Sequence, residues 1–139
     1  MQIRSAETAG FCFGVERAVS LAEQTAKSCA SAVTLGPIIH NRHVVERFEA
    51  MGLREIARAE DAQPGQTVVI RAHGIPVSEQ QTLAARGAKL VDATCPFVKK
   101  IHVIARQAEE AGRHLLIIGT PTHPEVTAIA SYSSDAQDR

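Results

Sequence analysis

The stretch at residues 67–76 reads TVVIRAHGIP and indicates the fold of the whole chain. It begins as an apolar, β-branched run and then turns through a histidine, a glycine and a proline into an amphipathic segment. Similar apolar runs complete the candidate strands, at residues 2–6, 32–35, 67–71, 89–92 and 115–118. Apolar strands that alternate with crossover helices are typical of an α/β fold with a parallel sheet. We therefore predict that fold.

Helical periodicity is clearest in two segments between these runs. Apolar residues recur every three or four positions from Val15 to Cys29 and again from Phe97 to Ala108. Weaker patterns predict helices at residues 43–51 and 77–86. Glycines that follow these patterns are predicted to end three helices: Gly52, Gly87 and Gly112. Residues 57–66 are predicted to be a polar loop, and residues 131–139 a frayed tail without a closing strand.

Composition excludes several classes of protein. The 139 residues carry 15 Lys and Arg against 15 Asp and Glu, so the net charge is zero and a general nucleic-acid binder is not expected. No apolar run approaches the roughly 18 residues of a membrane span, and the first residues lack a signal-peptide core. We predict a cytoplasmic protein without a membrane partner. The three cysteines form no C-x-x-C pair, which leaves free thiols or ligands gathered from distant loops.

Chemically capable residues follow four of the predicted strands directly. They are His40, His73, Cys95 and His123, each in a short turn before a helix. In open α/β sheets the ligand binds outside the carboxyl ends of the strands. We therefore expect these side chains to converge on one cleft.

Prolines and glycines indicate what these turns can bind. Pro76, Pro96 and Pro124 are predicted to lie in first helical turns, a favoured position for proline. Cys12, between glycines, precedes the helix from Val15 in a similar way. Free N–H groups at helix N-termini favour thiolates and phosphates, so a phosphate or metal site is expected.

Other candidates have more ordinary interpretations. Cys29 continues the apolar stripe of its helix, which is the usual place of a small core residue. His43, His102 and His114 have no special setting and are expected to be satisfied surface or core residues. Glu125, in the segment HPE, either relays protons beside His123 or complements the dipole of the following helix.

Five short motifs occur in order along the chain. They are GFCFGV at 10–15, IHN at 39–41, RAHG at 71–74, DATCP at 92–96 and HPEV at 123–126. Together they resemble the 4-hydroxy-3-methylbut-2-enyl diphosphate reductase family, which completes the methylerythritol phosphate route to isoprenoids. One motif is weak, whereas five in this order and spacing are specific.

The resemblance implies an iron–sulfur oxidoreductase. In this family three cysteines hold a [4Fe–4S] cluster, and Cys12 and Cys95 match the first two of these ligands. The third is absent from this chain, because Cys29 matches no motif of the family. A ferredoxin or flavodoxin is the implied electron donor.

The resemblance also implies the substrate and the site residues. The family removes a hydroxyl from 4-hydroxy-3-methylbut-2-enyl diphosphate and yields isopentenyl and dimethylallyl diphosphates. His40 and His73 match diphosphate-binding residues, His123 matches a substrate contact, and Glu125 matches the proton donor. Ala128 departs from the family, which usually has glycine three residues after the Glu.

The family fold is a trefoil of three α/β lobes around the cluster. The resemblance assigns residues 1–95 to the first lobe, with Cys12 and Cys95 on its cluster side, and residues 96–139 to part of the second. Three hypotheses follow from this partial match. The chain is an incomplete reductase, a non-catalytic module that binds a diphosphate or a metal, or an inactive fragment.

Overall fold

A computed structural model describes residues 2–134 and the backbone of residues 137–138. The helices are α1 (Phe13–Ser28), α2 (Arg42–Ala50), α3 (Val77–Ala85), α4 (Pro96–Glu110) and α5 (Pro124–Ala130). The strands are β1 (Val33–Leu35), β2 (Arg54–Ile56), β3 (Thr67–Ile70), β4 (Lys89–Asp92), β5 (Leu116–Ile117) and β6 (Gln137–Asp138). A short 3-10 helix lies at Ala59–Asp61, within the predicted polar loop.

Four strands form one parallel sheet in the order β2-β1-β3-β4. Helices connect the strands, so the predicted α/β fold with crossover helices is confirmed. A separate pair, β5 and β6, is also parallel. No helix among the residues described is long and apolar enough to cross a membrane.

Strand β3 shows how the sheet is covered on both faces. Val68 and Ile70 pack into a cluster with Leu83 of α3, whereas Val69 packs into a second cluster with Ala18 and Ala22 of α1. Successive strand residues point to opposite faces, so the two clusters lie on opposite sides of the sheet. With both faces buried, the carboxyl edge of the sheet is the open place for a ligand.

The predicted helix stops are confirmed. Gly52, Gly87 and Gly112 follow α2, α3 and α4 with φ angles of 87°, 66° and 64°, a left-handed conformation that glycine adopts readily. Pro96 and Pro124 begin α4 and α5 as predicted, whereas Pro76 is the residue before α3. His73 consequently lies in a turn rather than next to a helix N-terminus.

The predicted strand at residues 2–6 is wrong. These residues form no strand and all are exposed, with Ile3 86% accessible to solvent. A strand of a parallel sheet is buried on both faces, and the polar Gln2, Arg4 and Ser5 cannot meet that requirement. Conversely, β2 was not predicted, because the polar sequence of an edge strand carries little apolar signal.

The prediction that residues 131–139 contain no strand is also wrong, whereas the fraying of this tail stays a prediction. Gln137 and Asp138 pair with Leu116 and Ile117 through their backbones, which needs no apolar side chain. Residues 131–134 are held by side-chain hydrogen bonds, one of them from Ser133 Oγ to Glu109 at 2.9 Å. Residues 135, 136 and 139 of that prediction lie outside the described part of the chain.

Candidate functional site

Three of the predicted site residues meet at the carboxyl edge of the sheet. The ring centroids of His40 and His73 are 4.7 Å apart, and the His123 ring lies 6.4 Å from the first and 5.9 Å from the second. His40 and His73 follow β1 and β3 of the four-stranded sheet, whereas His123 follows β5, which belongs to the separate pair and not, as predicted, to the same sheet. The expected convergence of strand-end residues therefore holds for the three histidines.

Backbone hydrogen bonds join the turns that carry the site. The Ala72 N–H donates to the Ile38 carbonyl at 3.2 Å, which fixes the His73 turn beside the His40 turn. The Ala72 carbonyl in turn accepts from the Cys95 N–H at 2.9 Å. Three consecutive turns are thus linked through one residue that immediately precedes His73.

Arg71 supports the same turns from within and was not identified from the sequence as a site residue. Its Nε donates to the Gly74 carbonyl at 3.2 Å, and a Cβ at Gly36 would lie 2.6 Å from its Nη1. Gly36 has a φ of 70°, so both its conformation and the close guanidinium favour glycine. Arg71 thus packs between the turns that lead to His40 and His73.

His73 is electrostatically distinct. Burial, reinforced by the charges of His40, Arg71 and His123, lowers the pKa of His73 to about 4. Its Nδ1 is buried and has no hydrogen-bond partner within the part of the chain that the structure describes. At neutral pH this ring is therefore uncharged and retains an unused polar atom, a state that an incoming anion could change.

The orientation of His123 is fixed by its own helix. Its Nδ1 accepts a hydrogen bond of 3.2 Å from the Glu125 N–H at the start of α5. An accepting Nδ1 carries no proton in the neutral ring, which leaves Nε2–H as a donor. Glu125 lies in the first helical turn and is half-buried, a position compatible with either of its two predicted roles.

The two matched cysteines occupy equivalent positions. Cys12 precedes α1 and Cys95 precedes α4, and neither side chain makes a capping hydrogen bond. Gly14 brings the two turns together, since a Cβ there would lie 2.4 Å from the Cys95 sulfur. Arg17 also links them, through a hydrogen bond of 3.2 Å from its Nη1 to the Thr94 carbonyl. Arg17 carried no signal in the sequence beyond its place on the polar face of α1.

This donor set fits an iron–sulfur cluster only in part. Cys29 lies elsewhere in the fold, because its thiol is 3.3 Å from Thr67 Oγ1 at the start of β3. It packs against a core cluster, as the sequence predicted. Within residues 2–134, no three His, Cys, Asp or Glu side chains are arranged to hold a metal ion. Such clusters are bound by more than two protein ligands, so Cys12 and Cys95 supply part of the set.

A cleft of about 310 Å³ adjoins His40 and His73. Its lining also includes Phe11, Val15 and Asn41. Asn41 also caps α2, since its Oδ1 accepts from the Val44 N–H at 3.2 Å. The cleft therefore extends from Phe11, the neighbour of Cys12 in the sequence, to two of the candidate anion-binding rings.

Comparison with known proteins agrees with this architecture. A family model described as LytB protein matches residues 3–138, which is nearly the whole chain. The chain belongs to the LytB protein family. Among LytB relatives, the 4-hydroxy-3-methylbut-2-enyl diphosphate reductase of Oleidesulfovibrio alaskensis is 47% identical over 137 residues, which are 97% of this chain and 48% of that protein.

Solved structures of similar proteins share the fold. The structure of (E)-4-hydroxy-3-methyl-but-2-enyl diphosphate reductase, the terminal enzyme of the non-mevalonate pathway, matches with a TM-score of 0.79 and 44% identity over 91% of this chain and 45% of its own. The E-1-hydroxy-2-methyl-but-2-enyl-4-diphosphate reductase of Plasmodium falciparum matches with a TM-score of 0.84 and 29% identity, over 91% of this chain and 40% of its own. This LytB chain spans about half the length of the relatives it matches.

Proposed function

We propose that this chain forms part of the active site of a 4-hydroxy-3-methylbut-2-enyl diphosphate reductase and binds the diphosphate of the substrate. The observation that carries the proposal is the convergence of the His40, His73 and His123 rings within 4.7–6.4 Å of one another. A diphosphate presents several anionic oxygens, and imidazole N–H groups donate to such oxygens. Rings from three separate turns can therefore hold one diphosphate at several points.

The proposed reaction is a reductive dehydroxylation. The hydroxyl leaves as water and a proton is delivered to carbon, so two electrons and two protons are consumed and isopentenyl and dimethylallyl diphosphates are released. A [4Fe–4S] cluster, held in part by Cys12 and Cys95, would supply the electrons. A ferredoxin or flavodoxin as donor and a cytoplasmic location belong to the same proposal.

The residues of this chain have separate tasks in the proposal. His123 donates from Nε2 to the substrate, since its Nδ1 is occupied by the Glu125 N–H. His73 enters as a neutral ring, and the charge of the diphosphate favours its protonation, so binding takes up a proton. Glu125, two residues after His123, delivers a proton to the substrate.

Binding of inorganic pyrophosphate tests the proposal without a loaded cluster. By calorimetry on the 139-residue chain, His40→Asn, His73→Asn and His123→Asn should each weaken binding about tenfold or more, as loss of a charge-assisted hydrogen bond typically does. His43→Asn is the matched control, because the His43 side chain is 94% exposed on α2 and should not matter. Equal affinities for all four variants would remove the basis of the proposal.

The cysteine assignment has its own test. In this chain joined to the remaining half of a LytB relative, anaerobic reconstitution with iron and sulfide should give the absorbance of a cluster. Cys12→Ser and Cys95→Ser should abolish it, because serine keeps the size but lacks the soft thiolate that iron prefers. Cys29→Ser should retain it, since that thiol lies beside Thr67. Equal loss in all three variants would show that the assignment is wrong.

A diphosphate-binding module without catalysis is the second candidate. The observation that favours it is that His40, His73 and His123 by themselves bring imidazole donors together for an anion. Pyrophosphate binding by the 139-residue chain, combined with no reductase activity in the extended chain, would favour this second function.

A further inference from the structure

A second cavity adjoins the His73 turn and lies between residues that precede Cys95, here called the first region, and residues that follow it, the second region. Its volume is about 210 Å³, and its lining includes Gly74, Gln80 of α3, His102 of α4 and Tyr132. Tyr132 lies two residues beyond the end of α5. Because α5 carries His123 at its other end, the contacts at this cavity bear on the histidine site.

Tyr132 is attached to the first region through its hydroxyl group. The Gln80 Nε2 donates to the Tyr132 hydroxyl oxygen at 2.9 Å and also to the Ile75 carbonyl at 3.2 Å. Ile75 is two residues after His73, so one amide group joins the His73 turn to the end of α5. The neighbouring Ser131 adds a second attachment, since its Oγ accepts from the Val77 N–H at 3.0 Å.

His102 joins the same elements by packing. Its ring stacks on Tyr132 with centroids 4.6 Å apart and planes 21° apart. A Cβ at Gly74 would lie 2.6 Å from its Cε1, so the ring packs directly against the residue after His73. His102 is 6% exposed, and its Nε2 has no hydrogen-bond partner among residues 2–134. The sequence predicted a histidine with satisfied hydrogen bonds, so that prediction is wrong for Nε2.

We propose that Tyr132 is a positioning residue of the three-histidine site. Its hydroxyl, held by Gln80, and its ring, stacked on His102, fix the end of α5 against the His73 turn. The helix has seven residues and is therefore only about 10 Å long, so fixing one end also orients the other. His123, at that other end, is thereby held 5.9 Å from His73. The expected effect on ligand binding rests on the proposed diphosphate site. The positioning of His123 beside His73 does not depend on that proposal.

Two variants remove the same hydrogen bond from opposite sides. Tyr132→Phe keeps the ring and loses the hydroxyl, and Gln80→Met keeps the length of the side chain and loses the amide. Each should weaken the nuclear Overhauser contact between the His73 and His123 rings in the free chain. Each should also lower the affinity for inorganic pyrophosphate about two- to tenfold, because the loss of positioning can cost binding no more than the hydrogen bonds themselves contribute. The double variant should be no worse than Gln80→Met alone, because Gln80→Met already lacks the hydrogen bond to Tyr132 as well as the one to the Ile75 carbonyl.

Thr82→Val is the matched control on α3. It also removes a hydroxyl, but one that donates only to the Ser78 carbonyl on the solvent side, at 3.0 Å. It should leave the contact between the rings and the pyrophosphate affinity unchanged.

The outcomes separate this inference from the proposed function. An unchanged ring contact and affinity in both Tyr132→Phe and Gln80→Met would overturn the positioning role, even if both variants melt at lower temperature. Loss of the ring contact in those variants, with a wild-type chain that binds no pyrophosphate, would support positioning and contradict the proposed function. If one variant does not fold, the other decides.

Discussion

The regions before and after Cys95 use their apolar side chains in different ways. Both core clusters are built from residues of the first region, such as Leu83, which is fully buried. The second region leaves several large apolar side chains in solvent, among them Phe97 at 70% exposure and Leu116 at 67%. The comparison teaches that the first region supplies most of the folding free energy, because apolar burial is its main source.

The candidate site contains residues from both regions. His40 and His73 come from the well-packed first region, whereas His123 and Glu125 come from α5 in the second. Ala128 and Ile129 of α5 are buried, and the Tyr132–Gln80 hydrogen bond also attaches the end of this helix to α3. On the proposed function, the second region would contribute to the chemistry more than to the stability of the chain.

The largest expected effect compares one leucine from each region. Leu83→Ala should lower the free energy of unfolding by about 2–5 kcal/mol, because it leaves a cavity in a closed core. Leu116→Ala should cost about 0.5 kcal/mol or less, since that side chain is already in solvent. Urea unfolding of both variants measures the difference. Equal losses would contradict the contrast between the regions.

Glu125→Gln tests whether the second region contributes chemistry. In the chain extended with the missing half of a LytB relative, turnover should fall about a hundredfold or more, while substrate binding is retained, because glutamine cannot deliver a proton near neutral pH. The free energy of unfolding should change little. Normal turnover with a loss of a few tenths to about 1 kcal/mol of stability would instead assign Glu125 to the helix dipole.

A smaller effect concerns the burial of His73 in the first region. Its pKa of about 4 in the folded chain lies below the ordinary 6.5, so the unfolded chain takes up a proton first as the pH falls. The wild type should therefore lose stability relative to His73→Asn between about pH 6.5 and pH 4. The loss should be roughly 1–2 kcal/mol, because solvent partly screens this half-buried ring. Urea unfolding at both pH values measures it, with His43→Asn as control; parallel curves for wild type and His73→Asn would contradict it.

The sequence predicted those parts of the fold in which buried positions are occupied by apolar side chains. The run at residues 67–71 identified β3 because both faces of that strand are buried. The edge strand β2 was not predicted, since it pairs with β1 through backbone groups that all residues share. The proximity of His40 and His73 could be predicted, because β1 and β3 are parallel strands of one sheet and end at one edge. His123 follows β5 of the other sheet, so its approach to these rings depends on tertiary packing.

Residues whose role depends on distant contacts could not be predicted. Tyr132 lies 52 positions from Gln80 in the sequence, and no local pattern indicates their hydrogen bond. Arg71 stands in a quoted motif, yet its contact with Gly36 is set by the pairing of β1 with β3. Such residues became visible only through tertiary geometry.

One measurement tests most directly whether the two regions form a single anion site. Ring signals of the six histidines can be followed by NMR while the 139-residue chain is titrated with inorganic pyrophosphate. We predict that His40, His73 and His123 shift together along one binding curve, whereas the exposed His43 does not follow it. Shifts confined to a single histidine, or equal shifts at His43, would contradict a shared site.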